Sequence, residues 1–284
     1  MTLRNAALAR CVSICGRSGS HIHAGSKKVR PEASMKGCKL SPDVLAHILS
    51  FAPLSTLSNF AKSSASCESL CDSKVFPRRT FLTKEDCLPR KELVRLLPRL
   101  TCLSSIEDKW EHVDLAIQYC SHTLRQLPTI NIPASLEALI KFPPLLLQRL
   151  EVVECNFQPN KVLRKKAPDP ECSVAELTWT AAVGNSNHSS TLDFLLQHLP
   201  KVKLLTLQLY LRTEFDFTEL PRSASVTELR LHGARHFKCT RSLLDILPKL
   251  QLLELYTDYH VPSCVHEALL CLSPGLRVTV KPLH

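Results

Sequence analysis

The sequence predicts an α/β fold in which a curved parallel sheet carries helices on its outer side and a small all-helical block precedes it. Three observations lead there. A block of the form apolar-x-x-apolar-x-apolar recurs along the chain. It is clear at Leu147 (LQRLEV), Val174 (VAELTW), Val202 (VKLLTL), Val226 (VTELRL) and Leu250 (LQLLEL), and weaker at Leu100 (LTCLSS), Leu124 (LRQLPT) and Leu276 (LRVTV). Successive blocks start 24, 23, 27, 28, 24, 24 and 26 residues apart. Several linkers between blocks carry apolar residues at helical spacing, and strand alternating with helix implies a parallel sheet.

The chain is expected to divide into a basic tail over 1–38, a helical block over 39–78 and the repeating array over 79–284. Its 284 residues, 44% of them apolar, suffice for a sizeable core. No run of about 18 apolar residues occurs, so no membrane span is expected. The net charge of +10 is concentrated at the start. Residues 1–39 hold Arg4, Arg10, Arg17, Lys27, Lys28, Arg30, Lys36 and Lys39 against Glu32 alone, which is +7 of the total. The rest is close to balanced, which argues against nucleic acid as the partner.

The tail has no sustained apolar period and reads as disordered. Its first seventeen residues are acid-free, with arginines among Ala, Leu and Val, and resemble a mitochondrial transit peptide. An unstructured tail, or translation from Met35, are the alternatives.

In the helical block, Ser41 can cap a helix with Pro42 at its first position and Asp43 in its first turn. Val44, Leu45, Ile48, Leu49 and Ala52 form its stripe, and Pro53 stops it. A second helix carries Leu54, Leu57, Phe60 and Ala61, and a third runs from about Ala65 to Cys71. Residues Leu40, Pro42, Asp43, Val44, Leu45, Ile48, Leu49, Ser50, Phe51, Pro53, Leu54 and Leu57 together resemble the F-box. After Phe60, the stretch Ser63, Ser64, Ala65, Ser66 and Cys67 departs from that family's usual phrase. The resemblance implies docking on a Skp-type adaptor through Leu40, Pro42, Val44, Leu45, Ile48, Leu49, Phe51, Pro53 and Leu54. The plainer reading is that this block caps the array, since a repeat stack needs a polar-faced end.

The period of the blocks resembles the leucine-rich repeat, which implies a solenoid. Helical stripes precede or separate the strands at Leu93, Leu96 and Leu97; at Val113, Ala116, Ile117 and Cys120; at Leu192, Leu195, Leu196 and Leu199; and at Leu243, Leu244 and Leu247. Three run into LPRL, LPKV or LPKL, where proline ends the helix and the next strand begins. The polar residue that family places after the strand is matched by Cys155 but not by Ala182, Tyr210, Ala234 or Asp258. The linkers 155–173 and 211–225 lack a helical period and read as loops. The first contains Lys161, Arg164, Lys165 and Lys166, which could meet acidic partners or simply be solvated.

By two-residue alternation, the wet face of the sheet should carry Arg149, Glu151, Glu176, Thr178, Glu228, Arg230, His232, Glu254 and Tyr256. A mixed row with Arg, Glu and Tyr suits protein recognition, although any such array needs polar residues on its wet face. No GxSxG, GxGxxG, Walker-type loop or HExxH occurs, and seven glycines are few for phosphate cradles. The thirteen cysteines include no CxxC. Most, such as Cys120, Cys155 and Cys271, sit among apolar residues and read as reduced core thiols, with no cofactor or metal expected.

The two resemblances imply a non-catalytic substrate-recognition subunit of a Skp–cullin–F-box ubiquitin ligase, located in cytoplasm or nucleus. Its partners would be the adaptor with its cullin core and a substrate protein. The alternative is a mitochondrial leucine-rich-repeat protein acting in complex assembly.

Overall fold

A computed structural model describes residues 40–153, 155, 157–180, 188–209, 214–233, 236–238, 242–258, 261 and 263–282. The tail expected over 1–38, with its transit-peptide and Met35 readings, lies outside these residues. The chain forms two compact units that divide between Glu111 and His112. Residues 79–111, assigned to the array by their sequence, therefore belong to the same unit as the helical block.

The first unit opens with α1 (Pro42–Leu49), α2 (Leu54–Ser63) and α3 (Ala65–Leu70). The Ser41 side chain accepts from the Val44 N–H at 3.4 Å, and Lys74 donates to Asp43 at 2.7 Å. Ser64 caps α3 by accepting from the Cys67 N–H at 3.1 Å. The helix does not stop at Cys71: a π-turn over Cys71–Val75 and a 3-10 turn over Phe76–Arg78 extend it. That extension buries Cys71, Val75 and Phe76. Then come β1 (Phe81–Leu82), α4 (Arg90–Leu96) and β2 (Ser105–Ile106), with β1 and β2 parallel.

One carboxylate ties this unit together. Asp86 is fully buried, and both its oxygens accept from Arg79 Nη2, each at 2.6 Å. It also accepts the N–H of Leu54 at 2.8 Å, the first residue of α2, and that of Thr83 at 2.7 Å. Arg79 spends its other donors on the carbonyls of Ala52 at 2.6 Å and Phe81 at 3.2 Å. A buried charge pair is tolerated only when its remaining donors and acceptors are satisfied in this way.

The second unit begins with α5 (Val113–Cys120) and α6 (Pro133–Lys141), which pack together. Its sheet consists of β3 (Arg149–Val153), β4 (Glu176–Thr180), β5 (Leu204–Gln208), β7 (Glu228–His232), β9 (Leu252–Tyr256) and β10 (Arg277–Lys281). All six are parallel, adjacent in chain order, and in one continuous register. Between them lie α7 (Lys161–Arg164), α8 (His188–His198) and α9 (Ser263–Leu272), plus a small parallel pair, β6 (Glu214–Asp216) with β8 (His236–Lys238).

The apolar positions of the clear blocks make this core. Their first positions, Leu147, Val174, Val202, Val226 and Leu250, are all buried. Their fourth positions stack as Leu150, Leu177, Leu205, Leu229 and Leu253, and their sixth as Val152, Trp179, Leu207, Leu231 and Leu255. Identical apolar rows repeated strand after strand specify register strongly, because a one-residue slip would expose every one of them.

Several expectations are corrected. The weak blocks at Leu100 and Leu124 do not join the sheet as strands. The first yields only the two residues of β2, and the second only isolated bridge residues, Gln126 and, just beyond the block, Ile130, which pairs with Val152. Pro128 removes a ladder donor just there. The 155–173 linker is not helix-free, since Asn160 caps a one-turn α7 by accepting from the Val162 and Leu163 N–H groups at 3.0 and 2.9 Å. The 211–225 linker holds β6 and a 3-10 turn, and Phe215 and Phe217 are buried in an aromatic cluster with Phe237. Where a helix was expected around Leu243 to Leu247, a single 3-10 turn spans Leu243–Asp245.

Candidate protein-interaction face

Because side chains alternate along a strand, the residues between the apolar rows form three rows on the opposite side of the sheet, polar except at Val153, Leu204 and Leu252. Register assigns them. The first is Arg149, Glu176, Leu204, Glu228, Leu252 and Arg277. The second is Glu151, Thr178, Thr206, Arg230, Glu254 and Thr279, and the third is Val153, Thr180, Gln208, His232, Tyr256 and Lys281.

All eight charged or aromatic residues expected on this face are brought to it. They fall into two groups of different character. At the β3 end, Arg149 and Glu151 are exposed, and Arg149 Nε meets Glu176 at 2.8 Å. At the β9–β10 end, Glu254 is the centre of a network. Arg230 Nε donates to it at 2.8 Å, Tyr256 Oη at 3.1 Å, and Lys281 Nζ completes the set. His232 stacks on Tyr256, with centroids 4.1 Å apart and planes 6° from parallel. The Lys281 ammonium lies 5.3 Å from the Tyr256 ring centroid, within cation–π range.

Glu254 corrects the expected exposure of this row, as it is buried at 6%. Arg230 and Lys281 from the two neighbouring strands, and Tyr256 two residues along its own, close over it, and alternation within one strand cannot foresee the cross-strand pair. Burial alone would raise its pKa; the hydrogen bonds from Lys281 and Tyr256 and the Arg230 charge outweigh that and hold it below the usual carboxylate range. Lys281 is correspondingly raised, chiefly by its bond to Glu254. Burial, reinforced by the Arg230 charge, pushes His232 down.

Thr206, Gln208, Thr279 and Lys281 belong to the same rows but were not among the expected residues. Gln208 accepts from Thr180 Oγ1 at 2.7 Å. The signal for them was present: the alternation used on the other blocks applies equally to VKLLTL and its following glutamine. Lys281 needed the register of the last, irregular block, in which Val278 rather than Leu276 lies opposite Leu253.

The helical block also sorts its expected docking residues into two kinds. Leu45, Leu49 and Leu54 are buried at 3%, 2% and 0%, and so are core rather than surface. Leu45 and Leu49 are four apart on one stripe, and that stripe faces inward. Leu40, Val44 and Phe51 are exposed at 39%, 47% and 66%, with Pro42 exposed and Ile48 and Pro53 half-buried. Phe51 makes an edge contact with His47 at 5.2 Å.

Burial disfavours the thiolate at Cys71, Cys120, Cys155 and Cys172. Cys67, Cys71, Cys120, Cys155 and Cys172 are buried, and burial pushes Cys71 and Cys120 up to about 12 and Cys155 to about 11. Cys271, expected among apolar neighbours, is exposed. Among the described residues, no group of three or more His, Cys, Asp or Glu is placed to hold a metal ion, and no helix is long and apolar enough to cross a membrane. Comparison with known proteins finds no matching family model and no matching curated protein.

Proposed function

We propose that this chain is the substrate-recognition subunit of a Skp–cullin–F-box ubiquitin ligase, with the second unit built as a leucine-rich-repeat solenoid. The observation that carries the reading is the sheet. Six parallel strands start 27, 28, 24, 24 and 25 residues apart, share one register, and keep one face mainly polar. Such a face suits the capture of a protein partner.

In this reading α1 and the residues on either side of it contribute Leu40, Val44 and Phe51, with Pro42, Ile48 and Pro53 beside them, to the adaptor contact. Leu45, Leu49 and Leu54 hold the helices behind it. The ligase would act by proximity, raising the effective concentration of substrate lysines near a ubiquitin-conjugating enzyme, so this chain supplies binding and no bond-making group. Cytoplasm or nucleus is the corresponding location. The acid-free, arginine-bearing start of the chain favours one rival, a mitochondrial assembly protein.

The test is binding of the purified full chain to a Skp-type adaptor, measured by calorimetry. Burying a Val or Phe side chain contributes about 1.5–3 kcal/mol, so Val44→Asp with Phe51→Asp should weaken binding by roughly tenfold or more. The melting temperature should stay put, because both side chains are exposed. A wild-type chain that does not bind the adaptor sinks the reading. Recovery of a mature protein lacking its first residues from mitochondria would point to the rival.

A further inference from the structure

The sheet ends in a feature that the polar rows do not include. Immediately before the strands, Gln148, Ala175, Lys203 and Thr227 continue the ladder sideways. The carbonyl of Gln148 accepts from Ala175 N–H at 2.9 Å, that of Ala175 from Lys203 N–H at 2.8 Å, and that of Lys203 from Thr227 N–H at 2.8 Å. Above this hydrogen-bonded floor lies an open groove of 640 Å³. Its walls include Lys201 and Lys249, from the LPKV and LPKL phrases that end the preceding segments. Three lysines line the groove and no Asp or Glu does. All three are exposed, and none has an ion-pair partner among the described residues. The nearest strand acids face the polar rows and are already engaged. Glu176 is held by Arg149 at 2.8 Å, and Glu228 lies 3.9 Å from Arg230.

We infer that this groove at the amino ends of β3, β4, β5 and β7 binds an acidic peptide segment of a partner protein. Charge complementarity selects the occupant: three ammonium groups with no ion-pair partner among the described residues, in one concave site with a hydrogen-bonded floor, favour a run of carboxylates. Size agrees. Four strand ends span about 14 Å at the usual interstrand spacing, which accommodates roughly four residues of extended chain. The inference deepens the substrate half of the proposed function by assigning a chemistry to the captured segment. It does not depend on adaptor docking.

The experiment uses the full chain and a fluorescein-labelled hexaglutamate peptide, read by anisotropy without any adaptor. Its failure therefore leaves the adaptor result untouched, and the converse holds. Wild-type binding should weaken steeply as salt rises. The triple variant Lys201→Ala, Lys203→Ala, Lys249→Ala should lose at least roughly tenfold in affinity with an unchanged melting temperature. The control Lys161→Ala, Lys165→Ala, which removes one lysine at each end of α7, should lose little. Equal losses in both variants would mean diffuse attraction and overturn the site. Equal binding of a six-nucleotide RNA would overturn the choice of a peptide. At least tenfold tighter binding of a neutral six-residue peptide bearing one phosphoserine would replace carboxylates with phosphate as the recognised group.

Discussion

Two carboxylates, one in each unit, solve the same problem in opposite surroundings. Asp86 is fully buried, accepts from one arginine nitrogen through both its oxygens, and takes two backbone N–H groups as well. Glu254 is buried too, but its partners Arg230 and Lys281 remain 37% and 45% exposed in their side chains. The first pair stitches together chain segments around Ala52, Leu54 and Arg79 that no helix or strand ladder would join. The second bridges three adjacent strands that the ladder already holds. The same chemistry is therefore structural in one place, and in the other it shapes a surface that water, and a partner, can reach.

The strongest way to break this comparison is Asp86→Ala. It leaves the Arg79 guanidinium buried without its counter-charge and frees the Leu54 N–H, and such losses cost about 3–5 kcal/mol. Urea unfolding of the full chain, followed by probes in each unit, should show the first unit destabilised by that order. A loss below about 1 kcal/mol would mean that the pair matters no more than an exposed one.

A smaller effect is expected from Glu254→Gln, about 1–3 kcal/mol, because hydrogen bonds to a charged group weaken while the ladder stays intact. Its pH signature sharpens the contrast. The folded pKa of Glu254 is depressed, so the unfolded chain binds the proton more readily; its contribution is present above the ordinary glutamate range and is lost as pH falls through the folded value. His232 is depressed as well, so it too adds stability above its ordinary pKa of 6.5 and loses it as pH falls below. Stability of the second unit should therefore decline on acidification in two stages. Glu254→Gln should flatten the lower one and His232→Asn the upper. A stability that rises on acidification through these windows would contradict both assignments.

The smallest effect belongs to Arg149→Glu. Its pair with Glu176 is mostly exposed, at 81% and 40%, and surface changes of this kind stay within about 0.5 kcal/mol. Thermal melts should barely move. If the β3 end of the face takes part in substrate capture, the same variant should reduce partner binding while stability holds.

Much of this was legible beforehand, for reasons that differ by element. The five clear blocks became strands with the expected buried positions because alternation is a local property of extended chain. Ser41 and Pro42 act at the start of α1 as expected, since capping depends on only three or four residues. The blocks at Leu100 and Leu124 failed because a strand needs a neighbour as well as a pattern. The α7 turn was missed because Asn160 was not read as a cap. The lysine-lined groove was missed because its members come from separate segments: Lys201 and Lys203 precede β5, and Lys249 follows the turn before β9.

The sequence by itself determined which residues can be strand, which helix, and which side of each strand is apolar, because those follow from backbone periods within a few residues. Only the tertiary structure decided how buried each polar side chain would be. It put Leu45, Leu49 and Leu54 inside and left Val44 and Phe51 outside, joined Arg79 to Asp86, and closed Arg230, Tyr256 and Lys281 over Glu254. Burial and pairing depend on which segments meet across the sheet or between helices, and the free energy of a charge depends on its neighbours in space rather than along the chain.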